Sequence, residues 1–240
     1  MQNIGIVASS ANIDFMIKGV FSYELFGQTL WITTTHICVL IVMIVLIVFA
    51  ILAKKCMMKA TDVPGGFQNF IEIIVSSLDK VVKGSMGNCA PKFVNYISTI
   101  FIFILTCNIS GLFGLRPPTA DYGVTLPLGI ITFIMIHYNK FKYQKVSGFI
   151  KDLCDPWVFW APINLIGYVA VPISLSLRLF ANVLSGTVMM ALIYGLLGWF
   201  ATIWPAGLHV YFDLFSGAIQ TYVFCMLTMV YVSDAVGNEA

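Results

Sequence analysis

Charged residues are scarce in this sequence. Only 10% of the 240 residues are Asp, Glu, Lys or Arg, whereas 59% are hydrophobic. A soluble domain usually carries about 25% charged residues, and no polar stretch here is long enough to form one. The net charge of +2 is too small to indicate a nucleic-acid partner. Long segments without charge instead predict a multi-span membrane protein.

Paired cysteines are also lacking. The six cysteines are scattered without a CxxC pair, and Cys38, Cys107 and Cys225 lie inside apolar runs. Isolated cysteines of this kind pack as small hydrophobic side chains, so the sequence predicts no metal site, disulfide or bound cofactor. The N-terminus has no basic segment followed directly by an apolar core, and we expect no cleaved signal peptide.

Five apolar segments approach the length of about 20 residues that a transmembrane helix needs. They cover 30–53, 93–115, 122–138, 163–197 and 208–232. The sequence therefore predicts an all-α integral membrane protein: an N-terminal segment (1–29), a first transmembrane helix (30–53), and a second and third within 93–138. The segment 54–92 lies between the first and second transmembrane helices and contains FQNFIEIIVSSLDKVVKG. Its apolar residues recur at helical spacing, which predicts an amphipathic helix in the membrane interface or against other helices.

Lysines are concentrated in two connecting segments. Six lie between the first two helices and four within 139–162, whereas the opposite side carries only Lys18 and Arg116. Because basic loops stay in the cytoplasm, this bias predicts an inside amphipathic segment (54–92), an inside basic loop (139–162), an outside N-terminus and a cytoplasmic C-terminus.

The fourth apolar segment is too long for an upright helix. Its 35 residues (163–197) would measure about 50 Å as a helix, whereas the hydrocarbon core is about 30 Å thick. We expect this helix to tilt strongly or to bend, with Pro172 as a candidate bend. Together with the fifth helix it predicts a long tilted hairpin over 163–240, joined by GWFATIWPAG at 198–207.

One charge lies in the middle of the fourth segment. Within SLSLRLFANVLSG (174–186), Arg178 is the only charged residue between Pro156 and Phe212. Arginine stays protonated, and placing it at mid-bilayer costs from about 3 to more than 10 kcal/mol. An ionisable residue at this depth indicates function, and Ser174, Asn182 and Ser185 share its helical face.

A second polar stripe follows the fifth helix. Its residues recur at helical spacing: His209, Asp213, Ser216, Gly217 and Gln220. Two antiparallel helices with facing polar stripes predict a narrow hydrated path, with Asp213 as its titratable group. Hydrogen bonding between helices is the structural alternative for the serines and Gln220.

The hairpin geometry separates the two charges. Arg178 and Gln220 each lie about 20 positions from the turn, whereas Asp213 lies about two turns nearer to it. A dedicated Arg178–Asp213 salt bridge is therefore not expected. Arg178 needs an anion that this chain does not supply, and a carboxylate on another subunit is the natural candidate.

These residues carry a family resemblance. SLSLRLFANVLSG resembles the signature of subunit a of the F-type ATP synthase, and PTADYGVTLPL (118–128), PINLIGYVAVPIS (162–174) and AIQTYVFCMLTMVYVSDA (218–235) resemble further family motifs. The resemblance implies a non-catalytic subunit of the bacterial plasma membrane, with an organellar inner membrane as the alternative, that abuts a c-subunit ring and peripheral-stalk b subunits. It also implies two offset half-channels that carry H⁺ or Na⁺ to and from the ring carboxylates.

The resemblance implies roles for individual residues. Arg178 matches the essential arginine, Asn182 and Gln220 match polar residues beside it, Asp213 matches an ionisable position, and Asp121 matches the PTAD acid near the outside surface. Two positions depart from the family pattern, where relatives often have glutamate. These two positions are Thr187 on the outer path and Tyr168 on the inner path. Candidates that could replace the missing inner acid are Asn164, Asp152 and Asp155. His209 and His36 are candidates for the outer entry, with interfacial hydrogen bonding as the structural alternative.

Two other function classes are alternatives to this interpretation. A self-contained ion channel or secondary transporter would predict substrate sites and often internal repeats, and the sequence contains neither. A scaffold protein, with Arg178 as a structural anchor, leaves the two aligned polar stripes unexplained.

Overall fold

The computed structural model describes residues 19–25, 28–58, 65–113, 115–154, 157–197 and 204–237. In these residues two strands, β1 (Gly19–Leu25) and β2 (Gln28–Thr33), precede seven α-helices. The helices are α1 (Thr34–Met57), α2 (Gly66–Met86), α3 (Ala90–Ile109), α4 (Tyr122–Cys154), α5 (Ala161–Leu197), α6 (Trp204–His209) and α7 (Gly217–Val236). A π-helical segment, Val210–Ser216, joins α6 to α7. Short 3₁₀ turns flank α3, α4 and α5.

Within the described residues, five helical stretches are long and apolar enough to cross a membrane, which confirms the predicted all-α membrane architecture. They are Thr34–Met57, Gly66–Phe113, Tyr122–Gln144, Val158–Ile193 and Gly207–Val236. The second stretch includes both α2 and α3. The predicted amphipathic helix is α2, whose buried side chains include Ile71, Val82 and Met86.

The N-terminal segment contains a β-hairpin that the sequence pattern did not reveal. β1 and β2 pair antiparallel, with Leu25 opposite Gln28 and Gly19 opposite Thr33. The first helix therefore begins at Thr34 rather than at the predicted residue 30. The sequence LWIT at 30–33 is apolar enough to extend the predicted transmembrane helix, but its β-branched and aromatic residues suit a β-strand equally well.

The third transmembrane helix, α4, extends beyond the apolar segment from which it was predicted. The hydropathy pattern ends this helix at 138 and predicts a basic loop over 139–162, but α4 continues to Cys154 and α5 begins at Ala161. The physical reason is that lysine ends a hydrophobic run without ending a helix, since its helix propensity is close to the best.

The core surrounds α7. The fully buried side chains of this helix, including Phe224 and Met229, pack in one cluster with α3 residues such as Ile104 and with Leu179 of α5. Helix α7 contacts α2, α3, α4 and α5. This central position fixes the height of every polar group on α7 relative to its neighbours.

Helices α4 and α5 approach each other at a glycine. A Cβ atom at Gly129 would lie 2.7 Å from the carbonyl oxygen of Pro172, so only glycine fits there. Pro172 lies inside α5 and is buried. The predicted bend site therefore lies where the backbones of α4 and α5 approach each other closely.

Candidate functional site

The polar stripe of α5 lies on the exposed side of the helix. Ser174, Arg178, Asn182 and Ser185 are all exposed. Leu179, adjacent to the arginine in sequence, is fully buried. Helical spacing thus divides α5 into a packed side and a polar side that faces away from the rest of the chain.

The Arg178 guanidinium makes no hydrogen bond or ion pair within the part of the chain that the structure describes. Apolar side chains flank the polar stripe beside it, and Leu177 and Ile173 are 45% and 42% exposed. A permanent cation on an apolar, membrane-level surface requires an anion or water from outside the chain.

The two polar stripes meet at Asn182 and Gln220. Asn182 Nδ2 donates to Gln220 Oε1 at 2.6 Å, and Gln220 is buried. The predicted register is therefore shifted by one turn: Asn182 is level with Gln220, and Arg178 lies four residues further from the hairpin turn. Together with the seven residues from Gln220 to Asp213, this separates the two charges by about 16 Å along the helices.

Asp213 lies in the middle of the π-helical segment. This widened helix was not predicted, although π-bulges are frequent at functional sites. The Asp213 carboxylate pairs with His209 Nδ1 at 2.9 Å, and its side chain is 12% exposed. A Cβ atom at Gly111 would lie 3.1 Å from Asp213 Cγ, so a glycine in the turn after α3 makes room for this carboxylate.

Asp213 separates two cavities. On the side of the hairpin turn, a turn-side cavity of about 360 Å³ is lined by Arg116, Thr187, His209 and Asp213. On the other side, a central cavity of about 10 Å³ is bordered by Asp213, Asn108 and the Asn182–Gln220 pair. The central cavity is at the lower limit for one water molecule.

Asn108 is a functional candidate that the sequence pattern missed. Its amide donates to the Gly217 carbonyl at 3.0 Å and to Thr221 Oγ1 at 3.1 Å, and its Oδ1 accepts from Thr119 Oγ1 at 2.7 Å. This buried side chain links α3, α7 and the PTAD turn beside the central cavity. A polar residue within the apolar run LTCNIS was the available signal.

A third cavity lies near the other end of α5. This Lys140 cavity has a volume of about 600 Å³, and its lining includes His137, Lys140, Asn164, Tyr168 and Asp234. Lys140 Nζ donates to the Tyr168 hydroxyl at 2.8 Å and lies 4.6 Å from the centre of its ring. The position that departs from the family pattern is thus occupied by a phenol paired with a lysine.

The other candidates are dispersed. Asn164 Nδ2 donates to the Leu153 carbonyl at 3.1 Å. Asp121 Oδ1 accepts from the Gly123 amide at 2.9 Å, so Asp121 caps the start of α4. His36 Nδ1 lies 2.7 Å from Thr33 Oγ1. Asp155, the side chain of Asp152 and most of the predicted turn at 198–207 lie outside the described residues.

Comparisons with known proteins identify relatives along most of the chain. The family profile described as ATP synthase A chain matches residues 36–233. The protein named "ATP synthase subunit a, sodium ion specific" from Propionigenium modestum is 35% identical over 93% of this chain and 78% of its own length. "ATP synthase subunit a" from Priestia megaterium is 30% identical over 88% of this chain and 96% of its own.

Proposed function

Because the chain belongs to the ATP synthase A chain family, we propose that it provides two ion half-channels and a stator arginine. Through these, H⁺ or Na⁺ flow across a bacterial plasma membrane drives rotation of a c-subunit ring and ATP synthesis. The partners in this proposal are the ring, the peripheral-stalk b subunits and the rest of the F-type complex.

The state of Arg178 is the observation that carries the proposal. The guanidinium lies on an exposed helix face and has no partner in the described chain. A ring carboxylate that comes within about 4 Å would gain about 4 kcal/mol at an effective dielectric constant of about 20. A potential of 100 mV supplies about 2.3 kcal/mol per charge. The two energies are comparable, so the contact favours ionisation of the passing site without holding the rotor.

The path on the hairpin-turn side runs through Asp213. An ion enters the turn-side cavity beside His209, reaches the Asp213 carboxylate, and passes through the central cavity to the Asn182–Gln220 pair. This sequence of steps is supported by the position of Asp213, which borders both the turn-side cavity and the central cavity. Gln220 Nε2 is buried and makes no hydrogen bond within the described chain, so its amide can donate to a water that moves through.

The second half-channel begins in the Lys140 cavity. It opens at the opposite end of α5, contains Asn164, and is wide enough for hydrated ions at about 600 Å³. The polar groups of this half-channel are Asn164, the Lys140–Tyr168 pair and Asp234 at its edge. Arg178 lies between the two half-channels, where its charge prevents cations from passing directly from one to the other.

The orientation in the membrane follows from the lysine bias. We place the hairpin turn outside and the Lys140 cavity on the cytoplasmic side. A cysteine at Trp204 should react with a membrane-impermeant maleimide added to intact cells, and a cysteine at Lys145 should react only in inverted vesicles. The reverse pattern would overturn this topology.

Cross-linking tests whether the Arg178 face meets the ring. Ser174→Cys and Ser185→Cys place thiols on that face, and Val45→Cys places one on the exposed side of α1 as a matched control. After attachment of a short photoreactive maleimide in the assembled complex, the first two should capture a c subunit and the control should not. Capture of c subunits from Val45 alone would refute the assignment of this face.

A further inference from the structure

Helix α1 is buried most deeply at its first end. Its buried side chains are Thr35, Cys38 and Val42, all within its first nine residues. From Met43 to Met57, no α1 side chain is buried. Its half-buried Leu46, Phe49 and Ala53 instead line an open space shared with α2 and α3, here called the α1 groove.

The α1 groove is large and almost entirely apolar. Its volume is about 660 Å³, and its lining includes Ala50 of α1, Ile74 of α2 and Phe103 of α3. The one hydroxyl in the lining, on Thr99, donates to the Asn95 carbonyl at 2.7 Å. Water in this space would find no hydrogen-bond partners, so the groove suits a flexible apolar occupant.

Two positive charges lie at one end of the groove. Ala53 is the last lining residue of α1, and the exposed Lys54 and Lys55 follow it in the final turn. Glu72, the nearest acid on α2 in sequence, accepts a hydrogen bond from Gln68 Nε2 at 2.8 Å. An apolar groove that ends at two ammonium groups is complementary to an amphiphile with an anionic head.

We propose that the α1 groove binds an anionic phospholipid, with an acyl chain between α1, α2 and α3 and the phosphate at Lys54 and Lys55. Lysines at a membrane surface attract anionic headgroups, while the helices supply a surface that the acyl chain fills. This site is independent of the proposed ion path, because none of its residues borders the cavities around Asp213 or Lys140.

Photo-cross-linking of lipids to the whole ATP synthase complex tests the site. Nanodiscs carry phosphatidylglycerol or phosphatidylcholine with the same photoreactive acyl chain, and the labelled peptides are mapped by mass spectrometry. We expect phosphatidylglycerol to label 43–53 and 99–103 about 25-fold more than phosphatidylcholine, since each of the two lysines contributes about five-fold. Ala50→Phe, which fills the groove, should remove labelling by both lipids.

The variants separate charge from shape. Lys54→Gln with Lys55→Gln changes only exposed residues, so the fold is retained and the preference for phosphatidylglycerol should be lost. Lys142→Gln removes an exposed lysine of α4 and should leave the preference unchanged. Equal labelling by the two lipids would overturn the proposal. So would groove labelling that occurs in the isolated chain but not in the complex, since a helix of another subunit would then occupy the groove.

Discussion

The two ends of α5 border cavities of opposite character. Near Thr187, the turn-side cavity leads to a carboxylate and then to a central cavity of about 10 Å³. Near Tyr168, nineteen residues or about 28 Å along the helix, the Lys140 cavity measures about 600 Å³ and contains a lysine–phenol pair. One end narrows to a passage beside the Asp213 carboxylate, and the other is wide and carries a buried lysine.

This difference locates the resistance to ion flow. A narrow passage bordered by one carboxylate depends on the position and charge of that group, whereas a wide cavity offers several hydrated routes. We therefore expect substitutions beside Asp213 to slow transport strongly and comparable substitutions in the Lys140 cavity to have little effect.

Exchange of carboxylates provides the largest contrast. Asp213→Asn removes the titratable group at the junction of two cavities while preserving its shape, and ion transport should fall about 100-fold. Asp234→Asn, at the exposed edge of the Lys140 cavity, should stay close to the parent rate. ATP-driven pumping into inverted vesicles measures both, and equal rates for the two variants would remove the proposed asymmetry.

Glycine substitutions test the position of the carboxylate rather than its charge. In Gly111→Ala the new Cβ would lie 3.1 Å from Asp213 Cγ, so the carboxylate must move and transport should fall about ten-fold. In Gly195→Ala, on α5 and away from the cavities, the new Cβ would have no atom within 4 Å, and the rate should be maintained. A faster Gly111→Ala than Gly195→Ala variant would contradict the geometry.

The smallest effect is expected at the wide end. Tyr168→Phe removes the hydroxyl that accepts from Lys140 Nζ but keeps the aromatic ring. Because the cavity is wide, pumping should change by about two-fold or less, as for a substitution away from tight packing. A ten-fold loss would instead place the rate-limiting passage in the Lys140 cavity.

The sequence predicted those features that depend on local periodicity. The five spans and the shared face of His209 and Asp213 follow from residue spacing, and the structure contains both. The separation of Arg178 from Asp213 follows from counting residues to the turn. The count placed Arg178 level with Gln220, one turn from its observed position, because the π-helical segment is not visible in residue spacing.

Contacts between distant segments could not be predicted from single-sequence patterns. Asn108 meets Thr221, 113 residues further along the chain, and Lys140 meets Tyr168 from a different helix. Each depends on how α3, α4, α5 and α7 pack together. The π-helix around Asp213 is likewise a product of packing, since a run such as VYFDLFS has no residue that breaks a helix.

Replacement of Arg178 tests the central claim most directly. The Arg178→Ala complex is compared with Leu177→Ala, which changes an adjacent exposed side chain on the same helix, by ATP-driven pumping into inverted vesicles and by subunit content. We predict that Arg178→Ala assembles fully and pumps no ions, because passing ring carboxylates lose their counter-charge, while Leu177→Ala pumps normally. Coupled pumping by a fully assembled Arg178→Ala complex would contradict the account.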